Sequence, residues 1–222
     1  MTISCRLAIV FVFCLSCSIS LLAQARILTE AEFKAAQNNG FKKLESSPHR
    51  VNRKAEGNYG VTGAGAKYFV SETSEILPPD RSRSTLIRRV SGGNERTERV
   101  TIGERKYLRE GGGAWQLEPT DQNRYTIKGD PVRNKESKVF RSLGITNIGK
   151  VRVEGFEDLT SRKYESAKGQ YTTNYLERFW IDEKGRFLRR ESKITEGDNR
   201  VLMHSLSEYE YDPSIKIEAP IK

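Results

Sequence analysis

The sequence predicts a mainly β protein, an antiparallel meander with a few helices. Three observations lead there. From Pro48 to the C-terminus the dominant hydropathy period is two, not 3.6. Turn-type clusters punctuate that region at short intervals, among them Pro78-Pro79-Asp80, Ser91-Gly92-Gly93-Asn94, Asp182-Glu183-Lys184-Gly185 and Glu196-Gly197-Asp198-Asn199. The loops between the runs are too short, and the helical patterns too few, for a series of parallel crossovers.

The elements follow in chain order. Arg6 is the only charge in residues 1–25, and the apolar run after it closes on Ala23-Gln24-Ala25, a small-x-small cleavage signal. The run is short for a membrane anchor and reads as a secretory signal peptide cut after Ala25. Residues 26–222 then form a single exported domain. Cys5, Cys14 and Cys17 all leave with the signal. An exported chain without cysteine suits a bacterial periplasm better than a disulfide-rich secretome.

Thr29-Glu30-Ala31-Glu32 is a capping box, and Phe33, Ala36, Phe41 and Leu44 fall on one side of a helix running to about Glu45. Gly40 is its weak point and Pro48 ends it. Strand-type runs follow near 50–58, 66–76, 83–90, 95–102, 104–109, 114–118, 148–154, 160–168, 172–182, 186–195 and 200–211. Glu157-Asp158 reads as a turn. Gly111-Gly112-Gly113 separates two alternating runs and lacks the Lys and Ser/Thr of a phosphate loop, so it reads as a hairpin tip. Its register should set Tyr107 opposite Leu117 and Arg109 against Trp115. The stretch 119–147 breaks the meander. Within it Asn134 can cap a helix over Lys135 to Leu143, with Val139, Phe140 and Leu143 on one side as a candidate lid over the sheet.

Composition narrows the function. The formal net charge is +9, but acidic residues are interspersed nearly everywhere and export removes the usual nucleic-acid target. The expected histidines are structural: His49 at an exposed helix-to-strand junction, His204 alternating with Leu202 and Leu206 in a strand. With no cysteine in the exported part and two distant histidines, neither a nucleophile-base pair nor a zinc site is legible. Glu208, Glu210 and Asp212 share one strand face and either grip calcium or bridge to basic neighbours, with bridging favoured by the surplus of Arg and Lys. The expectation is a protein without catalytic residues, cofactor or metal.

Four stretches carry a family resemblance. They are Leu77-Pro78-Pro79-Asp80-Arg81-Ser82-Arg83, Ile102-Gly103-Glu104-Arg105-Lys106-Tyr107 running to Gly112-Gly113-Ala114-Trp115, Phe179-Trp180-Ile181-Asp182 with Gly185 following, and Tyr209-Glu210-Tyr211-Asp212-Pro213-Ser214-Ile215. In that order they resemble the LolA-like family of periplasmic lipoprotein and lipid carriers. The resemblance implies an antiparallel sheet curled into an unclosed half-barrel, helices on the open side, and an apolar cavity between the layers that holds acyl chains. One alternating face should then be apolar across several strands. The residues expected to line that cavity are Val70, Leu86, Val100, Ile102, Leu117, Val151, Val153, Phe179 and Ile181. The implied partners are lipid or lipoprotein acyl chains, with envelope membrane proteins as donors or acceptors, and the protein would act as a monomer. The competing reading is an envelope interaction or sensor module of the same fold. Its interior would be filled by Tyr68, Phe69, Trp115, Phe179 and Trp180, and it would bind a protein or polymer.

Overall fold

A computed structural model describes residues 25–58, 67–90, 93–118, 133–166, 169–197 and 200–221. The expected signal peptide up to Gln24, its cysteines and the stretch 119–132 lie outside them. Strand β1 (Arg26–Leu28) comes first, too short to be read from the sequence. Helix α1 (Glu30–Ser46) opens on the capping box: the Glu32 N–H donates to Thr29 Oγ1 at 3.2 Å, and the Thr29 N–H donates back to Glu32 Oε2 at 2.8 Å. It stops at Ser47, which takes the extended conformation that a following proline favours.

The rest is sheet. Strands β2 (His49–Asn58), β3 (Lys67–Leu77), β4 (Arg81–Val90), β5 (Gly93–Ile102), β6 (Arg105–Glu110) and β7 (Gln116–Leu117) form one antiparallel series. Strands β8 (Arg133–Ile148), β9 (Val151–Ser166), β10 (Gly169–Asp182), β11 (Phe187–Glu196) and β12 (Arg200–Tyr211) form a second. Pairing of β12 with β2, and of β1 with β8, joins everything into one twelve-stranded sheet with β1 and β7 at its edges. The sheet is antiparallel throughout and does not close into a barrel. Among the described residues α1 is the only helix, where the sequence suggested a few.

The triple glycine is a turn. Gly111 and Gly112 have φ of 55° and 80°, and the Gly113 N–H donates to the Glu110 carbonyl at 2.9 Å. Tyr107 stands opposite Leu117, and the Arg109 guanidinium lies 4.8 Å over the Trp115 ring, as the alternation predicts.

Two readings fail, for related reasons. Lys135 to Leu143 is not a capped helix but the middle of β8, so Val139, Phe140 and Leu143 are part of the sheet and not a lid over it. An isolated helix of that length is marginal. Against β9 the residues up to Ser142 gain a continuous ladder, with a bulge at Leu143, and the cross-strand pairs Arg162–Glu136 at 2.7 Å and Arg141–Glu157 at 3.3 Å. Phe140 packs its ring 5.0 Å from that of Phe33. Glu157-Asp158 is likewise no turn: β9 runs straight through it, because the buried Glu157 carboxylate is held between Arg141 and Arg178, the latter at 2.8 Å.

Register decides which residues share a face. Phe179, Arg190, Ser207, Arg53, Glu72, Leu86 and Thr97 stand side by side across seven strands. At the β8–β11 end α1 covers this face, burying Leu28, Phe33, Phe140, Phe156, Phe179 and Phe187 as one cluster. At the other end the opposite face is the covered one. There the C-terminal tail lays Ile215 and Ile217 on Val100 and Tyr107, with Leu77, Ile102 and Trp115 around them. Arg81 Nη1 donates to the Ile217 carbonyl at 3.2 Å and ties the tail down.

The β10–β11 turn is held by Asp182. Its Oδ1 accepts from the Lys184 and Arg186 backbone N–H groups at 2.9 Å each, and its Oδ2 pairs with the Arg186 guanidinium at 2.7 Å. Burial pushes the Asp182 carboxyl up, but the Arg186 ion pair and the backbone donors outweigh it and hold it below the usual carboxylate range. A depressed native pKa gives stability that is present above the ordinary Asp value of about 3.9 and lost as pH falls through the native value. Other carboxyls, among them Glu75 and Glu98, are depressed too, so urea titrations at descending pH should show an acid-limb loss that Asp182→Asn makes shallower. An unchanged limb in that variant would count against the assignment.

Candidate functional site

The helix-covered face is the place where the resemblance expects a cavity, and beneath α1 it is filled. The Phe179 ring lies 5.2 Å from Phe33, 5.0 Å from Phe156 and 5.4 Å from Phe187, and both Phe179 and Phe187 are fully buried. Arg190 closes this cluster on the β12 side. Its guanidinium stands 5.0 Å over Phe41 and 5.6 Å over Phe187 and pairs with Glu177. Burial works against the Arg190 charge, but the Glu177 carboxylate and Tyr209 more than compensate and raise its pKa above the ordinary arginine value.

Open space begins where the helix ends. A cleft of about 580 Å³ lies between the last turn of α1 and the strands beyond it, lined by Leu44 and Glu45 from the helix, Val51 and Ile76 from β2 and β3, Pro78 and Pro79 from the following turn, and His49 and Tyr209. Its walls are mostly apolar, and its volume is in the range of small-ligand sites. Leu44 and Tyr209 also pack on the phenylalanine cluster, so the cleft is the mouth of the helix–sheet seam. Beyond it the same face continues through Ser74, Ser84, Leu86 and Val70, small or apolar side chains interrupted by the Arg53–Glu72 pair at 3.5 Å.

The nine residues expected to line one cavity do not share one face. Val70, Leu86, Phe179 and Ile181 stand on the helix face, Phe179 and Ile181 within the filled cluster and Val70 and Leu86 half-buried in the open lane. Val100, Ile102 and Leu117 point to the other face, where Val100 and Ile102 meet the C-terminal tail and Leu117 is largely exposed. Strand alternation puts Val151 and Val153 on that face too, Val153 buried and Val151 exposed. The cleft residues Leu44, Val51, Ile76 and Tyr209 were missed. Leu44 was assigned to the helix face, and the other three sit in strands whose alternation is only partly apolar.

His49 is buried, not exposed as its position beside Pro48 suggested. Its Nδ1 is 2.8 Å from the Ser47 carbonyl, and its ring lies 6.3 Å from that of Tyr209 and 5.8 Å from that of Tyr211. His204 is half-buried, with Nε2 3.0 Å from Glu191. The acids at the end of β12 and just past it are taken up by arginines: Glu208 by Arg189 at 2.9 Å, Glu210 by Arg50 at 3.1 Å and Asp212 by Arg50 at 4.0 Å. Among the described residues no cluster of His, Cys, Asp and Glu has the makings of a metal site, and no helix is long and apolar enough to cross a membrane.

The fold defines a class, a single open antiparallel sheet with, among the described residues, one helix packed on one face. Among solved structures the chain is similar to LprF from Mycobacterium bovis, with 10% identity over 86% of this chain and 97% of that one and a TM-score of 0.43. It is also similar to a putative outer membrane lipoprotein-sorting protein domain from Vibrio parahaemolyticus, 9% identical over 83% and 93% of the two chains with a TM-score of 0.28. A LolA superfamily protein from Nitrosomonas europaea is 8% identical over 84% and 94%, with a TM-score of 0.29. At these identities the likeness concerns the fold. No family model matches the chain, and no curated protein matches it.

Proposed function

We propose that the chain is an exported, non-enzymatic carrier that holds an acyl chain of a lipid or lipoprotein in the cleft at the open end of the helix–sheet seam. The observation that carries this reading is the cleft itself, about 580 Å³ walled by Leu44, Val51, Ile76, Pro78, Pro79 and Tyr209 on the helix-covered face of the open sheet. Binding of this kind needs no reactive group. Each buried methylene contributes about 0.8 kcal/mol, so ten of them hold a chain firmly. The lane through Ser74, Ser84, Leu86 and Val70 gives a longer chain room to continue without displacing the phenylalanine cluster. Release then requires a membrane or partner protein that offers equal burial. Export fits the start of the fold, because a cut after Ala25 leaves β1 whole from Arg26.

A charge placed in the cleft tests the assignment. Val51→Asp or Ile76→Asp puts an unpaired carboxylate into an apolar site, where it has no partner to offset its desolvation. Lipid copurification should be lost in both variants while circular dichroism keeps the wild-type β signal. Retention of lipid by both would remove the cleft from consideration.

A second reading is favoured by the filled interior under α1. An envelope interaction module needs no cavity, and Phe33, Phe140, Phe156, Phe179 and Phe187 leave none beneath the helix. On that reading the wild-type protein is lipid-free and the open lane of the sheet meets a protein or polymer.

A further inference from the structure

The face of the sheet turned away from α1 carries a second groove. Two neighbouring cross-strand rows build it. Leu206, Lys54, Ser71 and Ile87 stand side by side across β12, β2, β3 and β4, and His204, Glu56, Phe69 and Arg89 form the next row. Ser71 is the short side chain in the middle. Around it the taller neighbours leave a hollow of about 410 Å³.

Two features of this groove are out of keeping with its surroundings. The first is apolar exposure. Elsewhere on this face β3 and β4 show Thr73, Glu75, Arg83 and Thr85, yet Phe69 is 47% exposed and Ile87 37% exposed, diagonal neighbours across β3 and β4 at the hollow. A contiguous exposed apolar patch beside a concavity is a recognition surface more often than an accident of folding. The second is charge. The arginines nearby are taken up by acids, Arg83 by Glu75, Arg96 by Glu98 and Arg189 by Glu208. Arg89 and Lys54 make no ion pair among the described residues. Arg89 uses only its Nε, which donates to Asn94 Oδ1 at 3.2 Å. Glu56 also lines the hollow, toward the end of the row away from Arg89, and it stands 3.8 Å from His204 Nδ1, while Glu191 is 3.0 Å from His204 Nε2.

An apolar hollow with an unmatched guanidinium at one end is complementary to a single alkyl chain ending in an anion, and a planar carboxylate meets the arginine fork through two parallel hydrogen bonds. We propose that this groove binds a free fatty acid, the carboxylate on the Arg89 fork and the chain running over Ser71 between Phe69 and Ile87 toward Leu206. Arginine pairs bidentately with carboxylates, and Lys54 adds positive field on the far wall. The site is separate from the helix–sheet cleft and stands whether or not that cleft holds lipid.

Isothermal titration of the purified chain with octanoate, decanoate, decanol and decyltrimethylammonium tests the assignment. Decanoate should bind saturably, about fourfold tighter for each added methylene until the hollow is full, and tighter than decanol or the cationic analogue. Arg89→Ser should weaken decanoate about tenfold and leave decanol unchanged. Phe69→Asp and Ile87→Asp, both at exposed positions that do not hold the core, should abolish binding of either ligand. Val51→Asp in the other cleft should leave all of these values as they are. No saturable decanoate binding by the wild type would overturn the proposal. So would binding that survives Phe69→Asp and Ile87→Asp but fails in Val51→Asp. Affinity for phosphatidylglycerol vesicles without affinity for decanoate in solution would also overturn it, and would make the patch a membrane-contact surface instead.

Discussion

Replacing Phe179 by alanine is expected to lower the unfolding free energy by about 3–5 kcal/mol, a large fraction of what holds a domain of this size together. The reason is position. Phe179 is fully buried at the centre of the helix-covered cluster, and its ring touches those of Phe33 on the helix, Phe156 on β9 and Phe187 on β11. Three elements lean on one ring, and none can follow it inward when it is removed, because each is pinned by its own hydrogen-bond ladder or by the helix. The vacated space therefore stays as a cavity. Urea denaturation followed by circular dichroism reads the effect as a shift in midpoint at constant slope. A loss below about 1 kcal/mol would mean that the cluster collapses freely and is not the organising core.

Gly40→Ala is expected to destabilise the protein by about 1–2 kcal/mol, against the rule for glycine inside a helix. In an exposed helix the change gains up to about 1 kcal/mol, since alanine loses less backbone entropy on folding. Here a Cβ would stand 2.4, 2.5 and 2.7 Å from three atoms of the Phe187 ring. That ring is fully buried and hemmed in by Phe41, Phe179 and Tyr209, so it has no room to retreat. Overpacking of this kind costs more than the helix gains. The exposed neighbour supplies the contrast: Asn38→Ala should stabilise by a few tenths of a kcal/mol in the same assay. If both variants stabilised, α1 would not be pressed on Phe187 as described.

What the sequence made legible was local. The Thr29 box, the hairpin at Gly111-Gly112-Gly113 and most strand boundaries are set by residues within a few positions of one another, and they stand where the pattern puts them. Gly40 was visible as an anomaly, but a single chain does not reveal that a ring from β11 requires it. The lid was misread because Asn134 and the 139–140–143 spacing satisfy helix rules locally, while the ladder with β9 that overrides them comes from residues up to thirty positions away.

The scattered cavity residues teach a related lesson. Alternation within a strand says that two faces differ, not which face looks inward, and phase passes between strands only through register. Choosing the apolar set strand by strand therefore joined Phe179 to Val100, although register sets them on opposite faces. Both are buried because this sheet is covered on different faces at its two ends, by α1 at one and by Ile215 and Ile217 at the other. Nothing in the two strands alone distinguishes that arrangement from a common apolar wall.

The central claim is that the cleft at the end of α1 holds an acyl chain, and native mass spectrometry of the wild-type protein expressed from its full sequence in a bacterial host and recovered from the periplasm addresses it directly. The account predicts a chain beginning at Arg26 that carries a bound species, released by organic solvent and identified in the extract as a lipid or lipid-modified peptide. A folded, monodisperse protein whose mass is that of the polypeptide alone, and which takes up no lipid when refolded with an envelope lipid extract, would contradict it and leave the interaction module as the function of this fold.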